Sequence, residues 1–263
     1  MDPQNTSSDV AQDVICDRAG DDIVRIVINR PRARNALSFT VWEGIAAAMD
    51  RIERETLPRA LILCGAEGYF SAGGDIKIPP ARGDGALHRA ARVELAQRVI
   101  HRLRAFPAPT FAAIEGGAIG LGWSLALACD LVIAADNVRF QAPFANMGIV
   151  PDGGLIWFLT KRLGRYQASE IVFSGRAVDG AEAKAAGLVT RLVEPGRAVE
   201  TALEMAATMG SGNRKALELI KRLVHQAETA DLSSVNATEL AFCQVSQSGD
   251  EIVRSREQRE HST

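Results

Sequence analysis

The stretch Ile114 to Gly154, IEGGAIGLGWSLALACDLVIAADNVRFQAPFANMGIVPDGG, constrains this chain more than any other. It places Gly116, Gly117, Gly120 and Gly122 ahead of an apolar run and closes on Pro151-Asp152-Gly153-Gly154. Closely spaced glycines followed by SLALA predict a loop feeding a helix, whose first amide N–H groups lack intrahelical acceptors and can point at an anionic oxygen. The same glycines also suit close packing of a strand on a helix, with no ligand involved. One loop leaves both readings open.

A second loop of this kind lies upstream. Arg59 to Cys64 (RALILC) reads as a short buried strand and delivers Gly65 to Lys77, GAEGYFSAGGDIK. Between the two loops, Ala86 to Phe106 is predicted helical by the spacing of Leu87, Leu95, Val99, Ile100 and Leu103, with Pro107 and Pro109 ending it. A strand from Thr110 to Ile114 follows. Each glycine loop therefore comes after an apolar strand and before a helical pattern, an arrangement that can aim two backbone N–H groups into one crevice.

The flanking sequence fits one α/β core. Two β-rich runs around Ala19-Gly20-Asp21-Asp22 predict a hairpin ended by Pro31. Val41, Ile45, Ala48, Met49 and Ile52 predict an amphipathic helix with Ser38 or Thr40 as its cap. Beyond the central stretch, Leu155 to Leu163, Gln167 to Phe173 and Gly180 to Ala186 read as short helices broken by Gly164, Gly175 and Gly187, then LVTRLVEP as a strand. From Ala198 the pattern is nearly all helical. The division expected is a flexible lead over residues 1–12, an α/β core over 13–196 and a helical C-terminal section over 197–263.

Composition excludes several classes. With 263 residues, 47% hydrophobic and 24% charged, the chain is long enough for a large core. The 30 basic and 32 acidic side chains leave a net charge of −2, giving no overall bias toward nucleic acid or an acidic membrane surface. Residues 1–12 lack the basic and apolar regions of a signal peptide, and no run of uncharged apolar residues reaches membrane-spanning length. The scattered Cys16, Cys64, Cys129 and Cys243 read as reduced thiols of a cytoplasmic protein. His88, His101, His225 and His261 show no metal-ligand spacing, so no metal is expected.

Arg30-Pro31 with Asn35-Ala36-Leu37, the run Phe70 to Lys77 (FSAGGDIK), the Gly116 to Asp130 loop and helix, Gly148-Ile149-Val150-Pro151, and Ala183 to Val189 (AKAAGLV) stand in a particular order. That order resembles the crotonase family, also called enoyl-CoA hydratase/isomerase, over roughly residues 14 to 225. The resemblance implies a spiral of ββα turns, assembly as a homotrimer or dimer of trimers, and binding of acyl-CoA thioesters. Coenzyme A then enters as part of the substrate, and no separate cofactor is expected. The shared chemistry of the family is a thioester enolate held by two backbone N–H groups. By position these would be Gly74 and Leu121, and a backbone donor tolerates a side chain where many relatives have glycine.

For the CoA ester, the resemblance points to Arg34, Ala36, Leu37 and Ala72, with Asp75, Ile76 and Lys77 beside the thioester and Gly120 in the second loop. Arg34 and Lys77 either meet phosphate or are solvated surface charges. The tail FCQVSQSGDEIVRSREQREHST departs from the family's aromatic-rich ending, so no residue is carried over from it.

Acid and base groups separate the members. Hydratases of the family carry two glutamates, one activating water and one assisting proton delivery. Here those positions fall on Ser124 and Phe144. Serine can orient a water or simply be a small helix residue, and phenylalanine transfers no proton. The acid that remains is Asp152, in the P-[DE]-G setting of family isomerases, including those that move a 3,4 double bond to the 2,3 position and those that open an aryl epoxide ring. Its competing reading is a helix cap. Glu115 is the alternative base or a loop-surface charge, and burial by Trp123, Phe144 and Trp157 is expected to raise the Asp152 pKa. The function expected is an acyl-CoA isomerase, with a hydratase, hydrolase or lyase on the same scaffold and a non-catalytic acyl-CoA-binding protein as the alternatives.

Overall fold

The computed structural model describes residues 12–19, 22–86, 88–209 and 214–247. The predicted hairpin is present. Strand β1 (Val14–Arg18) pairs antiparallel with β2 (Ile23–Ile28), Val14 opposite Ile28. Helix α1 (Phe39–Arg54) starts at Ser38, whose Oγ accepts from Val41 N at 3.3 Å, so the cap is Ser38 and not Thr40. Val41, Trp42, Ile45, Ala48, Met49 and Ile52 form its buried face.

Strand β3 (Ala60–Gly65) then runs parallel to β2, helix α2 (Ala91–Arg104) follows, and β4 (Thr110–Ile114) pairs parallel with β3. Helix α2 is shorter than its sequence pattern. Upstream of it, His88 N donates to Gly85 O, Arg82 N to His88 O and Arg92 N to Pro80 O. A helix through Ala86 would pair Arg92 N with His88 O, and both are used elsewhere, so a single 3-10 turn, His88–Ala90, leads directly into α2.

The second glycine loop is partly strand. Before helix α3 (Leu121–Leu127) the chain forms β5 (Gly117–Ile119), then β6 (Leu131–Ala135) and β7 (Arg139–Gln141). Helix α4 (Leu155–Ser174) is interrupted at Gly164, with φ 73° and ψ 171°, which separates the two predicted helices. Strand β8 (Ala177–Asp179), helix α5 (Gly180–Ala185), strand β9 (Arg191–Val193) and helices α6 (Ala198–Thr208), α7 (Arg214–Ala227) and α8 (Leu232–Gln247) complete the described residues.

Among the described residues two sheets result, one of six strands in the order β1-β2-β3-β4-β6-β9 and one of three in the order β5-β7-β8. Alternation along β3 shows how the large sheet is covered. Leu61 and Leu63 face the cluster that includes α1 and α2, whereas Ala60, Ile62 and Cys64 face Ala198, Ala202 and Ala206 of α6. A parallel sheet buried on both faces needs continuous apolar strands, as RALILC and TFAAI provide.

One polar hub lies inside this packing. Asp130 accepts from Thr110 N at 2.7 Å and Thr110 Oγ1 at 2.9 Å, and it pairs with Lys221 Nζ at 2.8 Å and His225 Nε2 at 3.0 Å. It ties β4 and the end of α3 to α7.

Candidate active site

The two glycine loops meet, which the sequence alone left open. Ser71 N donates to Gly117 O and Ile119 N to Ser71 O, both at 3.0 Å, so the first loop lies against β5. Its other edge is held by the segment 34–37, through Ala72 N to Arg34 O at 2.9 Å, Leu37 N to Gly73 O at 2.7 Å and Asp75 N to Leu37 O at 3.2 Å. Asn35 fixes that segment from within, fully buried, with its amide on the Ala66 and Tyr69 carbonyls and its Oδ1 accepting from Arg30 N.

Both readings of the glycines are realised. A Cβ on Gly122 would stand 2.8 Å from the Cβ of Ser71, so this glycine serves close packing. At Gly73 the backbone is left-handed, φ 91°, and a Cβ would lie 2.6 Å from Ile119 O and 3.6 Å from Leu121 N. The first loop thus passes directly over the start of α3. Among the described residues, nothing accepts from Gly74 N or Leu121 N. Two unspent amides remain at the meeting point of the loops.

The surrounding expected residues divide into supports and exposed groups. Ala36 and Leu37 are buried, and the Ala36 carbonyl accepts from Arg30 Nη1. Asp75 turns inward, its carboxylate bound by Arg30 Nη1 at 2.9 Å and by Lys77 N at 3.0 Å. Burial pushes its carboxyl up, but these partners outweigh that and hold its pKa below the usual carboxylate range. Arg34, Ile76 and Lys77 are exposed, and neither cation forms an ion pair among the described residues. Ala72 is half-buried. Phe144 is buried and packs on Gly120, where a Cβ would stand 3.3 Å from its ring.

Asp152 is the carboxyl group at this corner. Helix α4 is capped by Gly154 in the left-handed region with no side-chain hydrogen bond, so Asp152 is not its cap. Its Oδ1 is buried without a partner, and burial raises its pKa to about 6, against a lowering attraction from Arg92 and from its own backbone N–H. Gly153 beside it packs against Leu121, Ile100 and Ser124. The expected aromatic wall is different in kind. Trp123 is fully buried and stacks on Phe140 at 5.4 Å in the core, and Trp157 is 38% exposed under the Arg104 guanidinium. Trp157 lines a cleft of about 410 Å³ with Ile100, Gly153, Gly154 and Phe158.

Ser124 and Glu115 are both committed elsewhere. The Ser124 hydroxyl is fully buried and donates to the Asp152 carbonyl at 3.0 Å, with Gly120 O at 3.4 Å as a second acceptor. The Glu115 carboxylate accepts from Gly196 N at 3.0 Å and Ala198 N at 2.9 Å, so it caps α6 and is not a free base.

One residue at the corner escaped the sequence reading. Arg92 is 8% exposed, and its Nη1 donates to the carbonyls of Asp75 and Ile78, both at 2.7 Å. It was hidden among the many arginines of α2. The available signal was its position, four residues before Ala96 and eight before Ile100 on the apolar stripe.

Comparison with known proteins decides the family. The pattern of the enoyl-CoA hydratase/isomerase family matches residues 18–260. The chain belongs to that family. A probable enoyl-CoA hydratase of Mycobacterium avium is 39% identical over 203 residues, 76% of each chain. The 2,3-dehydroadipyl-CoA hydratase of Escherichia coli is 31% identical over 217 residues, 82% of this chain and 84% of that one. Among solved structures, an enoyl-CoA hydratase from Bacillus anthracis superposes with a TM-score of 0.88 at 28% identity, covering 95% and 97% of the two chains. One from Polaromonas superposes at 0.84 with 30% identity, covering 89% and 91%. The fold of this enoyl-CoA hydratase/isomerase family member is therefore the crotonase-like spiral that the sequence implied. Among the described residues no cluster of metal-ligating side chains occurs, and no helix is long and apolar enough to cross a membrane.

Proposed function

We propose that this family member is an acyl-CoA isomerase in which Asp152 is the sole proton shuttle. The observation that carries the reading is the Asp152 carboxyl, whose Oδ1 is buried without a partner and whose pKa burial raises to about 6, in a turn whose Gly153 packs on Leu121. Asp152 takes a proton from C2 of a 3-enoyl thioester. The charge passes to the thioester oxygen, which Gly74 N and Leu121 N bind as it grows, and donors fixed in advance favour that transition state. Asp152 then returns the proton to C4, leaving the 2,3 double bond conjugated to the thioester. A pKa near 6 suits a group that must both accept and give a proton near neutral pH. Arg34 and Lys77, exposed and without an ion pair among the described residues, are the proposed phosphate contacts of the CoA moiety.

Hydration is the second reading, favoured by the names of the relatives. It would make Asp152 act alone on both water and carbon, because Ser124 spends its proton on a carbonyl and Phe144 has none to give. The unpaired Cys16, Cys64, Cys129 and Cys243 support a cytoplasmic setting, and exposed Ile149, Val150, Tyr166 and Phe173 support a homotrimer or dimer of trimers.

The test is ultraviolet absorbance of the conjugated thioester. Wild type given a 3-enoyl-CoA should gain it, and Asp152→Asn, folded and still binding CoA esters, should not. Loss of absorbance from a 2-enoyl-CoA, with no gain from the 3-enoyl ester, would establish hydration instead. Binding of both esters with turnover of neither would establish a non-catalytic binder.

A further inference from the structure

We propose that Arg92 binds an anionic oxygen carried by the acyl group, so that the preferred ligands are short acyl-CoA thioesters bearing a second carboxylate. The inference rests on the assignment of Gly74, Leu121 and Asp152 to the reacting corner.

Arg92 is buried on the inward stripe of α2, yet it forms no ion pair among the described residues. A charge in a protein interior is ordinarily paired or fully hydrogen-bonded. Here only Nη1 is used, on the Asp75 and Ile78 carbonyls. Among the described residues, Nε and Nη2 have no acceptor, and Nη2 sits 3.7 Å from where a Cβ on Gly74 would stand. The side of the guanidinium formed by Nε and Nη2 carries two parallel N–H donors, the fork that matches a carboxylate bidentately.

The neighbouring acids do not fill this fork. Asp75 gives its carboxylate to Arg30 and Lys77 N, and Asp152 feels Arg92 only as an attraction across the corner, without a hydrogen bond. Burial lowers the guanidinium's pKa but leaves it a cation, so the fork is charged whenever a ligand arrives. The thioester oxygen already has two backbone donors. An anion fixed on the acyl chain uses the donors that remain, and the closeness of Nη2 to Gly74 places that anion a few carbons from the thioester.

Calorimetric binding of glutaryl-CoA and pentanoyl-CoA, five-carbon esters that differ in one terminal carboxylate, tests this on wild type, Arg92→Gln and Arg92→Lys. Wild type should bind glutaryl-CoA roughly tenfold or more tightly than pentanoyl-CoA, in keeping with a charge-assisted bidentate contact. Arg92→Gln should lose that preference while binding pentanoyl-CoA within about threefold of wild type, and Arg92→Lys should keep part of it. Equal or weaker binding of glutaryl-CoA by wild type overturns the proposal, and so does an equal loss of both esters in Arg92→Gln. If Arg92→Gln does not fold, the wild-type comparison and Arg92→Lys decide. No turnover is needed, so failure of the isomerase reading and failure of this one appear in different experiments.

Discussion

The Ser124 hydroxyl donates to the backbone carbonyl of Asp152 at 3.0 Å, joining the helix after the second glycine loop to the turn that carries the acid. The same carbonyl also accepts from Leu155 N at 3.2 Å, the first residue of α4. Serine at this position therefore holds the backbone of the acid's turn without touching its carboxyl group.

Ser124→Ala removes the tie and leaves the rest of the turn. We expect a stability loss of about 1 kcal/mol by urea unfolding, the usual worth of one such bond. The turnover number for a 3-enoyl-CoA should fall severalfold with KM little changed, because the acid and not the CoA contact is displaced.

On the proposed reading, the raised pKa of Asp152 predicts a pH dependence of both activity and stability. Only the ionised carboxylate accepts a proton, so kcat/KM should rise with pH through an apparent pKa of about 6. A pH series on wild type checks this, and a flat profile from pH 5 to 8 would remove Asp152 as the base.

Stability should run the other way. Below the ordinary carboxylate pKa of 3.8 both folded and unfolded chains hold the proton. Between 3.8 and about 6 the unfolded chain releases it first, so stability falls as pH rises and stays low above 6. The difference of about two pH units corresponds to about 3 kcal/mol at most. Asp152→Asn should therefore be more stable than wild type at pH 8, by thermal unfolding, and not at pH 3.5.

Gly73→Ala tests the contact of the two loops. The added methyl would meet Ile119 O at 2.6 Å in a backbone region that alanine disfavours, and a backbone atom gives way poorly. We expect a loss of about 2–4 kcal/mol in urea unfolding and turnover reduced by more than tenfold, since either amide moves with the loop.

Asp130→Asn tests the hub beneath α7. Burial raises the pKa of this acid, yet His225, Lys221 and Thr110 together hold it below the usual range, so its contribution is present above the ordinary carboxylate pKa and is lost as pH falls through the lowered one. Asparagine leaves buried Lys221 without its anion. A cost of about 3–5 kcal/mol at pH 7 is expected, shrinking at acid pH.

Much of this was legible in the residues. Ser38, one of the two caps the pattern offered, caps its helix, the strands read at RALILC and TFAAI are present and buried, and Gly164 breaks α4 where its conformational freedom suggested. What escaped depended on contacts far apart in sequence. Glu115 reads as a spare acid until Gly196 and Ala198 arrive to use it. That Asp152 does not cap α4 turned on the left-handed Gly154, a backbone state that D-G-G permits without specifying. Local pattern reports which face is apolar, and it is silent on which buried charge finds a partner.

The clasp of Glu115 on the first turn of α6 makes the C-terminal section a splint for the reacting corner. Residue 115 is where the second glycine loop begins, and its side chain is anchored about eighty residues downstream. A chain ending before Gly196 would leave the Glu115 carboxylate without either of these backbone partners, so the two halves of the sequence are joined at the point where the second glycine loop starts.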